Sequence, residues 1–291
     1  MNIQLFYNVI VSTAHITLVA IGFALIYRIA GFFNFAHASI YAVGAYVCYL
    51  TINLLKSNTV GFLSGVVVSC LLGTLVELFV YKPLRKRGAS QLVLLVGSLG
   101  IFILIQNGIS SIFGDETRIF SLSTTSLPAE FYGIHIVKPQ LLLLLLAITT
   151  CLFFIAFLRF TRYGIMMRAI GNDPMLANYC GLAVDHMVLL SFFLGSAIAG
   201  VAGISWAYNT ALSPNMGFTP LILGVVAVII GGVNSIRGIV FGALLLSVAQ
   251  HLGSWYIGSQ WQDAIAFVIL VSFLLFKPEG FFGKKVKSAI V

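Results

Sequence analysis

Nine apolar runs, separated by short polar or charged stretches, restrict it to a bundle of membrane-crossing helices. They cover residues 8–27, 40–55, 60–81, 92–112, 141–158, 187–207, 221–232, 239–255 and 264–276. A bilayer core about 30 Å thick takes about 20 helical residues to cross. Within it only helices or closed barrels satisfy their own backbone. Composition agrees: 8% of the residues are charged, 60% are hydrophobic and the mean hydropathy is +1.06, whereas a soluble domain carries about 25% charge. An all-α polytopic protein with one domain over 1–291 is expected. The first run has no basic stretch before it and is too long for a signal peptide, so it reads as an uncleaved span.

The positions of the charges set the expected topology. Eleven of the 16 basic residues fall in three clusters: Lys82, Arg85, Lys86 and Arg87; Arg159, Arg162 and Arg168; Lys277, Lys284, Lys285 and Lys287. Cytoplasmic loops collect Lys and Arg, and an even number of spans separates each cluster from the next. All three therefore sit on the cytoplasmic side, the N-terminus lies outside, and the loop with Asp115, Glu116, Pro128 and Glu130 faces outward. The formal charge of +8 thus belongs to membrane orientation and not to nucleic-acid binding.

Two pairs of runs, 8–27 with 40–55 and 221–232 with 239–255, are short or closely interrupted. They read as broken helices, which gives eight to ten membrane helices in total. Gly31-x-x-Asn34 and Gly231-x-x-Asn234 stand at matching places in the two breaks, an internal echo of the kind found in transporters built from repeats. Unwound backbone within a membrane offers free N–H and C=O groups to a solute. Asn34, His37, Asn234 and Arg237 are therefore candidate residues of a translocation path. The alternative is that they cap helix ends.

Residues 159–185 turn toward water. Within them Asp173 suits an N-cap, Pro174 the first helical position and Gly181 a left-handed C-terminal position, which defines a helix of about two turns. Met175, Leu176 and Tyr179 share one face of it, large enough to dock in a groove of a partner. The alternative is a helix lying on lipid headgroups.

Chemistry that the chain lacks narrows the reading further. There is no G-x-S-x-G, no H-E-x-x-H and no pair of carboxylates inside a run, so no catalytic or metal site is expected. G-F-F-G-K-K near the C-terminus lacks the spacing and the following hydroxyl of a phosphate loop, and reads as a basic surface anchor. Cys48, Cys70, Cys151 and Cys180 form no C-x-x-C. Glu77 is expected to pair with the cluster at 82–87. His15, Gln106, Asn107, Gln250 and His251 are costly in lipid unless they face the bundle, so hydrogen bonds between helices are expected for them. Ser191, Gly195, Ala199, Gly203 and Ala207 recur every fourth residue, a ridge suited to close helix packing.

Arg168, Ala169, Gly171 and Asp173 form the pattern R-A-x-G-x-D, followed by A-x-x-x-G. With G-F-F-N-F-A-H-A-S, Y-K-P-L-R, G-G-V-N-S-I-R-G and K-P-E-G-F-F-G it resembles the LivH-type branched-chain amino acid permeases of bacterial ABC importers. That superfamily also holds ribose and urea permeases. The resemblance implies a type II-like importer permease of the bacterial cytoplasmic membrane, with Arg168, Ala169, Gly171, Asp173, Pro174, Met175, Leu176, Tyr179 and Gly181 coupling it to an ATPase. It implies two ATPase subunits, a second permease chain, most simply a paralogue, and an extracytoplasmic substrate-binding protein. No cofactor is bound directly, and ATP is used by the partners. The chain departs from the family where Ala38-Ser39 replace the usual Gly-Glu. Two rival readings stay open: an ion-coupled secondary transporter, which needs ion ligands at mid-membrane, and an ABC permease for urea or amides. A structural scaffold is a third.

Overall fold

A computed structural model describes residues 3–120, 129–131, 134–277 and 280–282. Pro128, Pro278, Glu279, Gly283 and the lysines at 284, 285 and 287 lie outside them. The chain forms α1 (Ile3–Ala30), α2 (Ala36–Leu55), α3 (Asn58–Val76), a π-helical turn (Glu77–Tyr81), α4 (Lys82–Lys86) and α5 (Gln91–Phe113). A small antiparallel hairpin, β1 (Ala129–Phe131) and β2 (Ile134–Ile136), precedes α6 (Lys138–Phe160). Then follow α7 (Arg162–Asn172), α8 (Pro174–Tyr179), α9 (Val184–Ala207), α10 (Phe218–Gly231), α11 (Ile236–Tyr256), a 3-10 turn (Ser259–Trp261) and α12 (Gln262–Phe276). Among the described residues, eight helical stretches are long and apolar enough to cross a membrane, α3 to α4 counting as one of 29 residues. The apolar α10, at 14 residues, is shorter than a membrane-crossing helix.

α9 is the axle of the bundle. Every member of its ridge of five small residues, Ser191, Gly195, Ala199, Gly203 and Ala207, is buried. Gly195 abuts Gly22 and Ile26 of α1, and Gly200 faces Ser69 of α3 across from Gly44 of α2. Added Cβ atoms at Gly44 and Gly200 would each stand 2.6 Å from the Ser69 hydroxyl oxygen. Small residues here let three helices approach by backbone, the contact that substitutes for hydrophobic drive in lipid. On the rim, α5, α6 and α12 turn long apolar side chains such as Leu104, Phe153 and Leu275 outward.

The connections sort to two ends. At one end lie Arg28 with Gly171 and Asn172, Lys82 with Asp185 (3.6 Å), and Glu77 with Arg85. The described members of all three basic clusters are here or in the adjoining turns. At the opposite end Arg118 and Leu212 exchange backbone hydrogen bonds of 3.0 and 2.7 Å, and the Arg118 guanidinium lies over Tyr49. The sequence parity and the packing thus agree on a two-ended molecule.

Of the G-F-F-G-K-K motif, Gly280, Phe281 and Phe282 are described, and the lysines expected to anchor it lie outside the described residues. Gly280 adopts φ +74°, and Phe281 and Phe282 donate their N–H groups to Ile230 O (2.8 Å) and Gly231 O (3.2 Å). They satisfy carbonyls left free at the end of α10. Lys277 packs over the Phe281 ring.

Candidate functional site

The first break is an extended segment that re-enters the bundle. Gly31, at φ +76°, ends α1, and the chain then turns back. The His37 ring rests against Gly22, which stands about 12 Å from the Ala30 end of α1 at 1.5 Å of rise per residue. α2 therefore begins inside the bundle and not at its surface. Ser98 of α5 holds the break, since its hydroxyl accepts from Phe35 N–H (3.0 Å) and lies 3.2 Å from Phe33 O.

Asn34 and His37 are both buried here. Asn34 Oδ1 accepts from the Tyr81 hydroxyl at 2.9 Å, while its Nδ2 and both His37 ring nitrogens are buried without a hydrogen-bond partner. Buried polar atoms are nearly always paired, so these three atoms within four residues leave hydrogen-bonding capacity for water or a solute. The π-helical turn supplies Tyr81: its extra residue per turn re-aims the side chains after Glu77. Glu77 itself is buried and paired with Arg85 as expected. Ser39 turns its hydroxyl back to Ala36 O (2.8 Å), so no carboxylate stands in the first turn of α2.

The second break differs from its expected counterpart. Asn234 and Arg237 are exposed at the basic end, and the structure does not bring them to Asn34 and His37. The left-handed position is Gly232 (φ +92°), one residue later than the G-x-x-N echo suggests. α10 and α11 meet there in a surface hairpin, with Gly231 packed on the Gly238 carbonyl. The true interior interruption lies at the other end of α10. Its 14 residues span about 21 Å, and its N-cap Gly217 is pressed against the Ala38 carbonyl, where a Cβ would collide. The starts of α2 and α10 thus meet inside the bundle, Ala38 against Gly217.

Nearby polar residues tie helices together. His15 Nε2 lies 2.8 Å from the Tyr41 hydroxyl, and its ring stacks on Trp206 at 3.9 Å. His251 faces Ser12, and Gln250 donates to Gln262 O. Asn107 departs from expectation: it is exposed and bonds back to Ile103 O of its own helix at 2.8 Å.

Residues 159–185 fold as two helices, of which α7 was not anticipated. Thr161 caps it by accepting from Gly164 N–H, and it buries Met167 and Ile170. Gly171 gives room for the Arg28 stem, and Arg168 and Ala169 are exposed. α8 has the predicted ends. Asp173 Oδ1 accepts from Leu176 N–H at 2.9 Å, Pro174 opens the helix, and Gly181 (φ +79°) closes it with Leu182 N–H on Ala177 O. Met175, Leu176 and Tyr179 are 77, 60 and 86% exposed, while Ala177 faces inward.

Among the described residues no group of three His, Cys, Asp or Glu side chains is placed to hold a metal ion. A family described as "Branched-chain amino acid transport system / permease component" matches residues 5–274. The high-affinity branched-chain amino acid transport system permease protein LivH of Salmonella typhimurium is 28% identical, over 97% of this chain and 95% of its own. The corresponding permease protein BraD of Pseudomonas aeruginosa is 30% identical, over 92 and 91%. Among solved structures, PsaBC from Streptococcus pneumoniae in complex with Fab contains a chain of similar fold, with a TM-score of 0.55 at 11% identity over 97 and 95% of the two chains.

Proposed function

Because the chain belongs to the family of branched-chain amino acid transport system permease components, we propose that it passes leucine-like or related amino acids inward, driven by ATP hydrolysed on partner subunits. It is a multi-pass membrane protein and a permease subunit of an ABC importer. The assembly we propose has two ATPase subunits on the basic, cytoplasmic end, a second permease chain and an extracytoplasmic binding protein. The whole chain acts as one permease domain. Residues 159–185 are its coupling segment, with Met175, Leu176 and Tyr179 of α8 entering a groove of the ATPase while Arg168, Ala169 and Gly171 carry the movement to α1. Asn34 and His37 line the path, and Asn234 and Arg237 border its cytoplasmic exit.

One observation carries this reading: α8 is capped at both ends yet exposes three large apolar side chains in a row. A protein with this much buried surface has no packing use for such a helix. The ion-coupled alternative needs ligands at mid-membrane, and the buried carboxylate Glu77 is already neutralised by Arg85.

Uptake of radiolabelled leucine into proteoliposomes that hold the complete transporter and its binding protein tests the proposal. Accumulation is expected with ATP on the ATPase side and no ion gradient. Accumulation driven by a proton or sodium gradient without ATP would establish a secondary transporter instead, and ATP-driven uptake of urea or small amides in place of leucine would reassign the substrate.

A further inference from the structure

At the basic end a small cleft of about 30 Å³ opens between α1, α6, α7 and α11. Arg28, Arg168 and Asn234 supply its polar groups, and the rest of the lining is apolar, including Leu25, Phe154 and Leu158. The two guanidinium groups act on one another as like charges, and among the described residues no carboxylate is seen to act on Arg28. Arg28 Nε is buried without a partner, and Nη2 reaches only Asn172 Oδ1, at a long 3.4 Å. The two ion pairs among the described residues, Lys82 with Asp185 and Arg85 with Glu77, involve neither arginine. The neighbouring acid, Asp173, is committed to capping α8. Among the described residues two cations without an ion-pair partner thus share one cleft, Arg28 half-buried and Arg168 exposed, an arrangement that an anion would relieve.

We infer that this cleft binds the phosphate diester of an anionic phospholipid from the surrounding leaflet. Arg28 and Arg168 would hold the phosphate oxygens through their forked donors, with the Asn234 amide as a third donor. The position favours a lipid over a soluble anion. Arg28 is two residues from the end of a membrane-crossing helix, which puts the polar rim at headgroup level. The apolar wall continues inward from the rim to Ile21, about 10 Å deeper along α1. Basic pockets between membrane helices on the cytoplasmic side take anionic headgroups in this way. A zwitterionic ethanolamine or choline headgroup would bring a third cation to the site and is disfavoured.

The test uses the full chain, delipidated in detergent and titrated with phosphatidylglycerol, phosphatidylcholine or inorganic phosphate, with bound lipid counted by native mass spectrometry. Each arginine near an anionic headgroup contributes a factor of about five in affinity. Phosphatidylglycerol is therefore expected to bind about five-fold more weakly to Arg168→Gln and about thirty-fold more weakly to Arg28→Gln/Arg168→Gln. Arg168 is exposed, so its single variant decides the matter if the double variant fails to fold. Equal binding of phosphatidylglycerol and phosphatidylcholine, or unchanged binding in Arg168→Gln, would overturn the site. Displacement of the lipid by inorganic phosphate at equal concentration would reassign it to a free anion.

Discussion

Asn34 shows how one buried side chain joins three parts of the bundle. Its carbonyl oxygen holds the Tyr81 hydroxyl and its amide nitrogen is left free, so it stands where the re-entrant segment, the π-helical turn and the interior meet. Asn34→Leu would strand the Tyr81 hydroxyl at a cost of about 1–3 kcal/mol and put an apolar group in the proposed path. Initial uptake should fall while the complex still assembles, and the exposed Asn234→Leu should have the smaller effect. Normal uptake in Asn34→Leu would return Asn34 to a structural role. A second residue-scale expectation concerns Glu77 and Arg85. Arg85→Met leaves a buried carboxylate unpaired, which costs about 3–5 kcal/mol, whereas the further change Glu77→Gln should recover most of it. Thermal melting in detergent measures both. Glu77 is the kind of residue whose partner a sequence discloses, because a lone acid in an apolar run needs a cation and the cluster at 82–87 is near. The Tyr81 partnership is not disclosed, since it joins residues 47 apart in the chain through a π-helical turn with no sequence mark.

Among elements, α9 was the most legible and α10 the least. A small residue at every fourth place reads directly as a packing ridge, and the ridge is buried along its length. Gly200→Leu should drive side-chain atoms into Ser69 and break the crossing of α2, α3 and α9. Overpacking of this kind costs about 1–3 kcal/mol or more and should lower the melting temperature. Gly108 of α5 is the control: it is exposed and a Cβ there meets nothing within 4 Å, so Gly108→Ala should leave stability equal or higher by up to about 1 kcal/mol. The ends of α8 were legible because cap residues act locally. The short α10, the helix α7 and the docking of Gly280–Phe282 were not, because each is fixed by contacts between distant segments: Gly217 on Ala38, Gly171 on Arg28, and Phe281 on Ile230.

For the whole molecule, the two-ended sorting of loops predicts which surfaces face which compartment. Cys180 is exposed just beyond α8, while Cys48 and Cys70 are buried. In intact cells an impermeant thiol reagent should leave the native chain unlabelled, and permeabilisation should expose Cys180 alone among these three; labelling of Cys180 in intact cells would invert the topology. The account turns on α8 as the part that receives the ATPase. Co-purification of the ATPase subunits with a Met175→Asp/Leu176→Asp variant, followed by leucine uptake with ATP, tests that claim most directly. Two carboxylates on the docking face should abolish both association and uptake while membrane insertion stays normal, because the spans are untouched. Asp173→Ala, which removes only the cap at about 1 kcal/mol, should give partial activity. Retention of the ATPase subunits and normal uptake by the double variant would contradict the account and make α8 a helix that rests on the lipid surface.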